Sequence, residues 1–180
     1  MSAPVPEFSR IVRVDTIGER PRTIAIAADE AERAALAKRF GLISIARLEG
    51  SAAVASVAGG ISAMGRIAAQ VEQSCVATGE SVPAAIDEAF ALKFVAEAGE
   101  DAGEEMELSE DELDIMEFDG QAIDLGEALA QTLALALDPF PRSPNAEAAL
   151  KAAGVLSEDE AGPFGALAAL KQTLEKKSPQ

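Results

Sequence analysis

The chain has no histidine, no tryptophan and no tyrosine, and one cysteine among 180 residues. Each absence removes a class of chemistry. Without histidine there is no imidazole base and no imidazole metal ligand, so Ser-His-Asp and Cys-His sites are excluded. A single cysteine, Cys75, cannot form an intrachain disulfide. With seven Phe as the only aromatics, platforms on which bases stack are scarce, and single-stranded nucleic acid is a poor direct ligand. Long apolar runs are also missing. The longest uncharged stretch, 50–65, is mostly Ala, Ser, Gly and Val, too short and weakly apolar for a bilayer that needs roughly 20 apolar residues. Glu7, Arg10, Arg13, Asp15 and Glu19 interrupt the first twenty residues, so no signal core stands there and the expected location is the cytoplasm. The length suits one domain, 1–180, with its own core.

The most informative absence is local. Between Phe94 and Pro141 there is no Lys or Arg, while fifteen Asp and Glu lie there; the other 132 residues hold sixteen acids and fifteen bases. The formal charge of −16 therefore belongs to one interval, densest over 97–119. Clustered like charges repel and resist burial, so 97–114 is expected to be a solvated, mobile segment. It reads either as a solubilising linker or as a docking strip for a basic partner, with Glu104, Glu105, Glu107, Glu110, Asp111, Glu112 and Asp114 as candidate contacts. A calcium loop is excluded: no frame through Asp111, Asp114, Glu117 and Asp119 gives alternating acids with Gly sixth and Glu twelfth. Neither metal nor cofactor is expected.

Periodicity assigns the elements. Phe8 to Val14 and Arg22 to Ala27 read as short strands. Asp29 with Glu32 has capping-box spacing and Gly41 suits a left-handed end, which predicts a helix over Glu30 to Phe40. Apolar alternation then runs from Leu42 to Gln73, with turns expected at Glu49-Gly50-Ser51 and at Gly59-Gly60. Cys75 to Pro83 reads as a turn. Ile86, Phe90, Leu92 and Phe94 share one face of a further strand, and Ile115 to Phe118 reads as a short one. Asp124 and Glu127 have the spacing of a second capping box, opening a Leu-rich helix that ends before Asp138-Pro139. Ser143-Pro144 start a short helix, and a last one begins at Pro163. The expected class is α+β: a twisted antiparallel sheet with one N-terminal helix and C-terminal helices packed on it.

Three pieces, in this order, resemble a known family. They are Cys75-Val76-Ala77-Thr78-Gly79-Glu80; Ile123-Asp124-Leu125-Gly126-Glu127 running on to Asp138-Pro139-Phe140-Pro141; and Gly162-Pro163-Phe164-Gly165-Ala166-Leu167 continuing to Lys171. Together, over roughly 40–175, they resemble the YceD family, the large ribosomal RNA subunit accumulation proteins. The resemblance implies a bacterial, cytoplasmic, non-catalytic accessory factor in ribosome biogenesis, needed for accumulation of large-subunit ribosomal RNA. It marks Cys75, Asp124, Leu125, Glu127, Pro163 and Leu167 as family positions. Many members carry Cys-x-x-Cys where this chain has Cys75 and Thr78, so the zinc or redox pair of such relatives cannot form within one copy of this chain.

Plain structural roles stand beside these positions. Cys75 suits packing, capping accounts for Asp124 and Glu127 without acid/base chemistry, and helical spacing makes Phe164 and Leu167 core residues first and a partner groove second, with Phe164 a further candidate partner contact. Pro139, Phe140 and Pro141 make an extended link whose Phe is either tucked in or displayed as an anchor. Three modes of action follow. The expected partner is a Lys/Arg-rich ribosomal protein or assembly factor, drawn by charge. Direct RNA contact through Arg10, Arg13, Arg20, Arg22 and Arg33 is the alternative, and a carboxylate and magnesium nuclease the third.

Overall fold

Helix α1 occupies Glu30–Phe40, the span its local signals predict. Asp29 accepts the Glu32 amide at 2.9 Å, and the Glu32 carboxylate accepts the Asp29 amide at 2.8 Å. Two donors that a bare helix start leaves unpaired are thereby satisfied. Gly41 closes the helix at φ 66°, a left-handed conformation that glycine adopts without the Cβ penalty.

The computed structural model describes residues 6–96 and 114–155. Around α1 the chain forms strands β1 (Ile11–Arg13), β2 (Arg22–Ala27), β3 (Ser44–Val57), β4 (Gly60–Ser74), β5 (Ser81–Ala96), β6 (Asp114–Phe118) and β7 (Ala122–Asp124), then helices α2 (Leu125–Ala136) and α3 (Ala146–Ala152). Strands β2 to β6 make one sheet in sequence order, and β1 pairs with β7 separately. The α+β class is as expected. Among the described residues the chain groups into two compact units, 6–73 with 83–96 and 114–139, and 74–82 with 140–155.

The details depart from expectation in physically instructive ways. Strand β1 is shorter than Phe8 to Val14: Phe8 is buried in the core and Val14–Thr16 form a 3-10 turn. No turn forms at Gly50, because β3 runs straight through, with Gly50 opposite Ile26 on β2 and Ile67 on β4. Glycine is needed there for packing, since a Cβ would lie 2.7 Å from a Leu129 methyl and 3.0 Å from the Arg66 carbonyl oxygen. The β3–β4 hairpin turns at Ala58-Gly59, one residue early, and Gly60 already pairs with Val57. Strand β5 begins at Ser81, so it includes Pro83. Strand β6 pairs with β5 in parallel, Leu92 opposite Asp114 and Ala96 opposite Phe118, so the sheet is mixed rather than wholly antiparallel.

Helix α2 supplies much of the core of the first unit. Leu129 and Leu133 pack with Phe8, Leu36, Leu48 and Ile67, while Leu125 joins a second cluster with Val54, Leu92, Phe94 and Ile123. Burying a Leu of this kind stabilises by roughly 1.5–3 kcal/mol. Helix α3 starts at Ala146 with Asn145 as its cap, so Pro144 precedes the helix instead of occupying its first position. The helix expected from Pro163 lies outside the described residues, with Phe164 and Leu167.

Candidate functional site

Asp124 ends β7 and caps α2. Its carboxylate accepts the amides of Gly126 at 2.9 Å and Glu127 at 3.2 Å, the Arg10 amide at 2.7 Å and the Ser9 hydroxyl at 2.6 Å. The N-terminal segment is thus fastened to the start of α2, and the Leu125 amide adds a bond to the Arg10 carbonyl at 3.0 Å. The second capping box forms only in part. Glu127 does not reach back to Asp124; its carboxylate receives two N–H groups of Arg39, at 2.7 and 2.8 Å. Arg39 also holds Glu7 at 3.0 Å. The guanidinium keeps the Glu127 carboxyl below its ordinary range against the opposing effect of burial. The carboxylates of Asp124 and Glu127 are therefore both engaged in joining elements.

The second unit centres on Cys75, which is buried. Its Sγ accepts the Ser143 amide at 3.2 Å, and the Thr78 hydroxyl lies 3.2 Å from that of Ser143. The backbone closes the same loop: the Cys75 amide donates to the Glu80 carbonyl at 2.8 Å and the Gly79 amide to the Cys75 carbonyl at 2.9 Å. Val76 donates to Pro141 at 2.9 Å, and the Asn145 amide group to Glu80 at 3.3 Å. Donation from the Ser143 amide, then from Thr78, lowers the Cys75 thiol from 9.0 to about 6. Thr78 and Ser143 are thus hydroxyl-bearing neighbours of one thiol. No local signal in the sequence announces the link between residues 75 and 143, which are 68 positions apart.

The candidate partner contacts are placed unevenly. Glu104, Glu105, Glu107, Glu110, Asp111 and Glu112 lie outside the described residues, as does Pro163. Asp114 is exposed at the start of β6. Phe140 is 70% exposed, while Pro141 beside it is buried. Among the described residues no group of three or more Cys, Asp or Glu is arranged to hold a metal ion. No helix among them is long and apolar enough to cross a membrane.

Five of the nine arginines pair with the chain's own acids. Arg10 pairs with Glu32 at 2.6 Å, Arg13 with Asp15 at 2.6 Å and Arg66 with Asp87 at 2.7 Å; Arg47 pairs with Glu49, and Arg39 with Glu127 and Glu7. Arg33 donates to the Ala28 carbonyl at 2.7 Å. Of the five arginines of the RNA alternative, Arg20 and Arg22 are exposed and make no ion pair among the described residues.

No curated protein and no solved structure matches the chain. The family model described as large ribosomal RNA subunit accumulation protein YceD matches residues 63–171. That stretch runs from β4 through the Cys75 loop, the Asp124 cap and α2 to the Pro163 piece, and it covers more than half of the chain. The chain belongs to the YceD family, whose name ties it to the accumulation of large-subunit ribosomal RNA.

Proposed function

We propose that the protein is a non-catalytic, cytoplasmic accessory factor in ribosome biogenesis that supports large-subunit ribosomal RNA by binding a basic ribosomal protein or assembly factor. The observation that carries this is the charge balance: fifteen acids and no base between Phe94 and Pro141, beside arginines that are mostly committed to internal ion pairs. Such a molecule attracts Lys/Arg-rich chains over distance and repels phosphate backbones. Binding would keep a basic partner shielded until RNA displaces it.

Neutralisation in place tests the proposal better than deletion. Strands β5 and β6 are parallel, so Ala96 and Asp114 lie four residue steps apart along the sheet, roughly 13 Å. Removing 98–112 would leave too few residues to cover that distance. Replacing Glu104, Glu105, Glu107, Glu110, Asp111 and Glu112 by Gln or Asn keeps the length. The expected result is loss of binding to purified large-subunit ribosomal proteins at low salt; undiminished binding would refute a docking role for the strip.

A further inference from the structure

A groove of about 530 Å³ opens among β4, β5, β6 and α2, and its walls include Met64, Glu88, Phe90, Asp114, Met116 and Leu135. Met64 is 56% and Leu135 80% exposed. A single exposed Leu is ordinary, but large apolar side chains gathered along one concavity mark a surface meant to be covered. Two of the lining residues are methionines, whose flexible thioethers adapt to different anchors. The charge is one-sided: Glu88 and Asp114 are exposed carboxylates, and no Lys or Arg lines the groove among the described residues. By contrast, two other grooves of similar size mix signs, one holding Glu49 with Arg66, the other Glu30 with Arg33 and Lys38.

From this geometry we infer that the β4–β5–β6–α2 groove is a docking site for a basic amphipathic segment of a partner protein, with apolar anchors against Met64 and Leu135 and cationic flanks toward Glu88 and Asp114. The inference deepens the proposed function and rests on its basic partner. Charge complementarity selects this occupant. A second copy would bring a chain of net charge −16 to two carboxylates, and a nucleic-acid strand would bring phosphates to them. An acidic peptide meets the same repulsion. A Lys/Arg-rich segment with apolar residues one helical turn apart gains from both features of the groove.

The test uses the full chain and a fluorescent peptide of about 16 residues with Lys on one face and Leu on the other, read by anisotropy. A peptide with each Leu replaced by Ser is the basic-only control. The amphipathic peptide is expected to bind at least about tenfold more tightly than the control, and the Met64→Ser/Leu135→Ser variant to abolish that advantage. Glu88→Gln with Asp114→Asn should flatten the salt dependence; these exposed positions give a second readout should the apolar pair misfold. Equal binding of the two peptides, or of wild type and variants, overturns the inference. So does sedimentation showing a wild-type dimer that the apolar variant dissociates, or displacement of the peptide by an RNA oligonucleotide alone. A parallel arm with purified large-subunit ribosomal proteins separates the two proposals. If they bind wild type and variants alike, the groove is wrong and the basic-partner function stands. If only the peptide behaves as expected, the groove stands and the ribosomal partner falls.

Discussion

The Ser9 hydroxyl donates to the carboxylate of Asp124 at 2.6 Å across 115 positions of sequence. That carboxylate is also the N-terminal cap of α2 and the acceptor for the Arg10 amide. One side chain therefore closes the helix and holds the N-terminal segment against it. Asp124→Ala leaves four donors without their acceptor and is expected to destabilise by about 3 kcal/mol, more than a cap alone is worth. Ser9→Ala should cost only about 1 kcal/mol. Urea denaturation measures both, and equal midpoints for wild type and Asp124→Ala would contradict the assignment.

Arg39 and Glu127 predict an acid-dependent loss of stability. The Glu127 carboxyl is held below its ordinary 4.5 by the guanidinium. Its contribution is complete above about pH 4.5 and disappears as pH falls through the lower folded value. Because the side chains are 33% and 18% exposed, solvent screening keeps the effect near ~1 kcal/mol. In Arg39→Met the melting temperature should fall less steeply below about pH 4.5 than in the wild type. The same slope in both proteins would show that Glu127 does not titrate against Arg39.

Local signals were legible and distant ones were not. Helix α1 could be placed to the residue because Asp29, Glu32 and Gly41 act on their own backbone. Strand β4 was plain from its alternation, with Ile61, Ala63, Ile67, Ala69 and Val71 buried on one face. Gly50 misled, because a glycine that admits a Leu129 methyl is indistinguishable in sequence from one that turns the chain. Glu127 sits at capping-box spacing, but a bidentate bond to Arg39 outcompetes the reciprocal cap. The contact of Cys75 with Ser143 and the joint appearance of Met64, Glu88 and Leu135 in one groove depend on chain crossings that no periodicity records.

Cys75 should titrate far from an ordinary thiol. Its folded value is about 6 against 9.0, so the stabilisation it gives is complete above about pH 9 and is lost as pH falls through about 6. The apparent melting temperature should rise across that window in wild type and rise less in Cys75→Ala. With no Tyr, no Trp and a single Cys, thiolate absorbance near 240 nm reports this group directly. Thr78→Val should move the midpoint upward, and Ser143→Ala less so, since the principal donor is the Ser143 backbone amide. A wild-type midpoint above about 8 would contradict the lowering by Ser143 and Thr78.

Arg10 distinguishes structural from RNA-binding arginines. Its guanidinium gives two N–H groups to Glu32, at 2.6 and 2.9 Å, one to the Ala27 carbonyl at 2.9 Å and one to the Ser9 carbonyl at 2.7 Å. It also lies 4.8 Å from the centre of the Phe8 ring. A phosphate would have to break these contacts to bind it. Arg10→Ala is therefore expected to cost about 1–2 kcal/mol of stability, allowing for partial exposure, without changing retention of ribosomal RNA at low salt. Arg20 and Arg22 provide the contrast, being exposed and without an ion pair among the described residues. If RNA is touched directly, replacing those two by Ala should reduce the slope of log affinity against log salt by roughly two. An unchanged slope, or no RNA retention in any version, would count against direct RNA contact through these arginines.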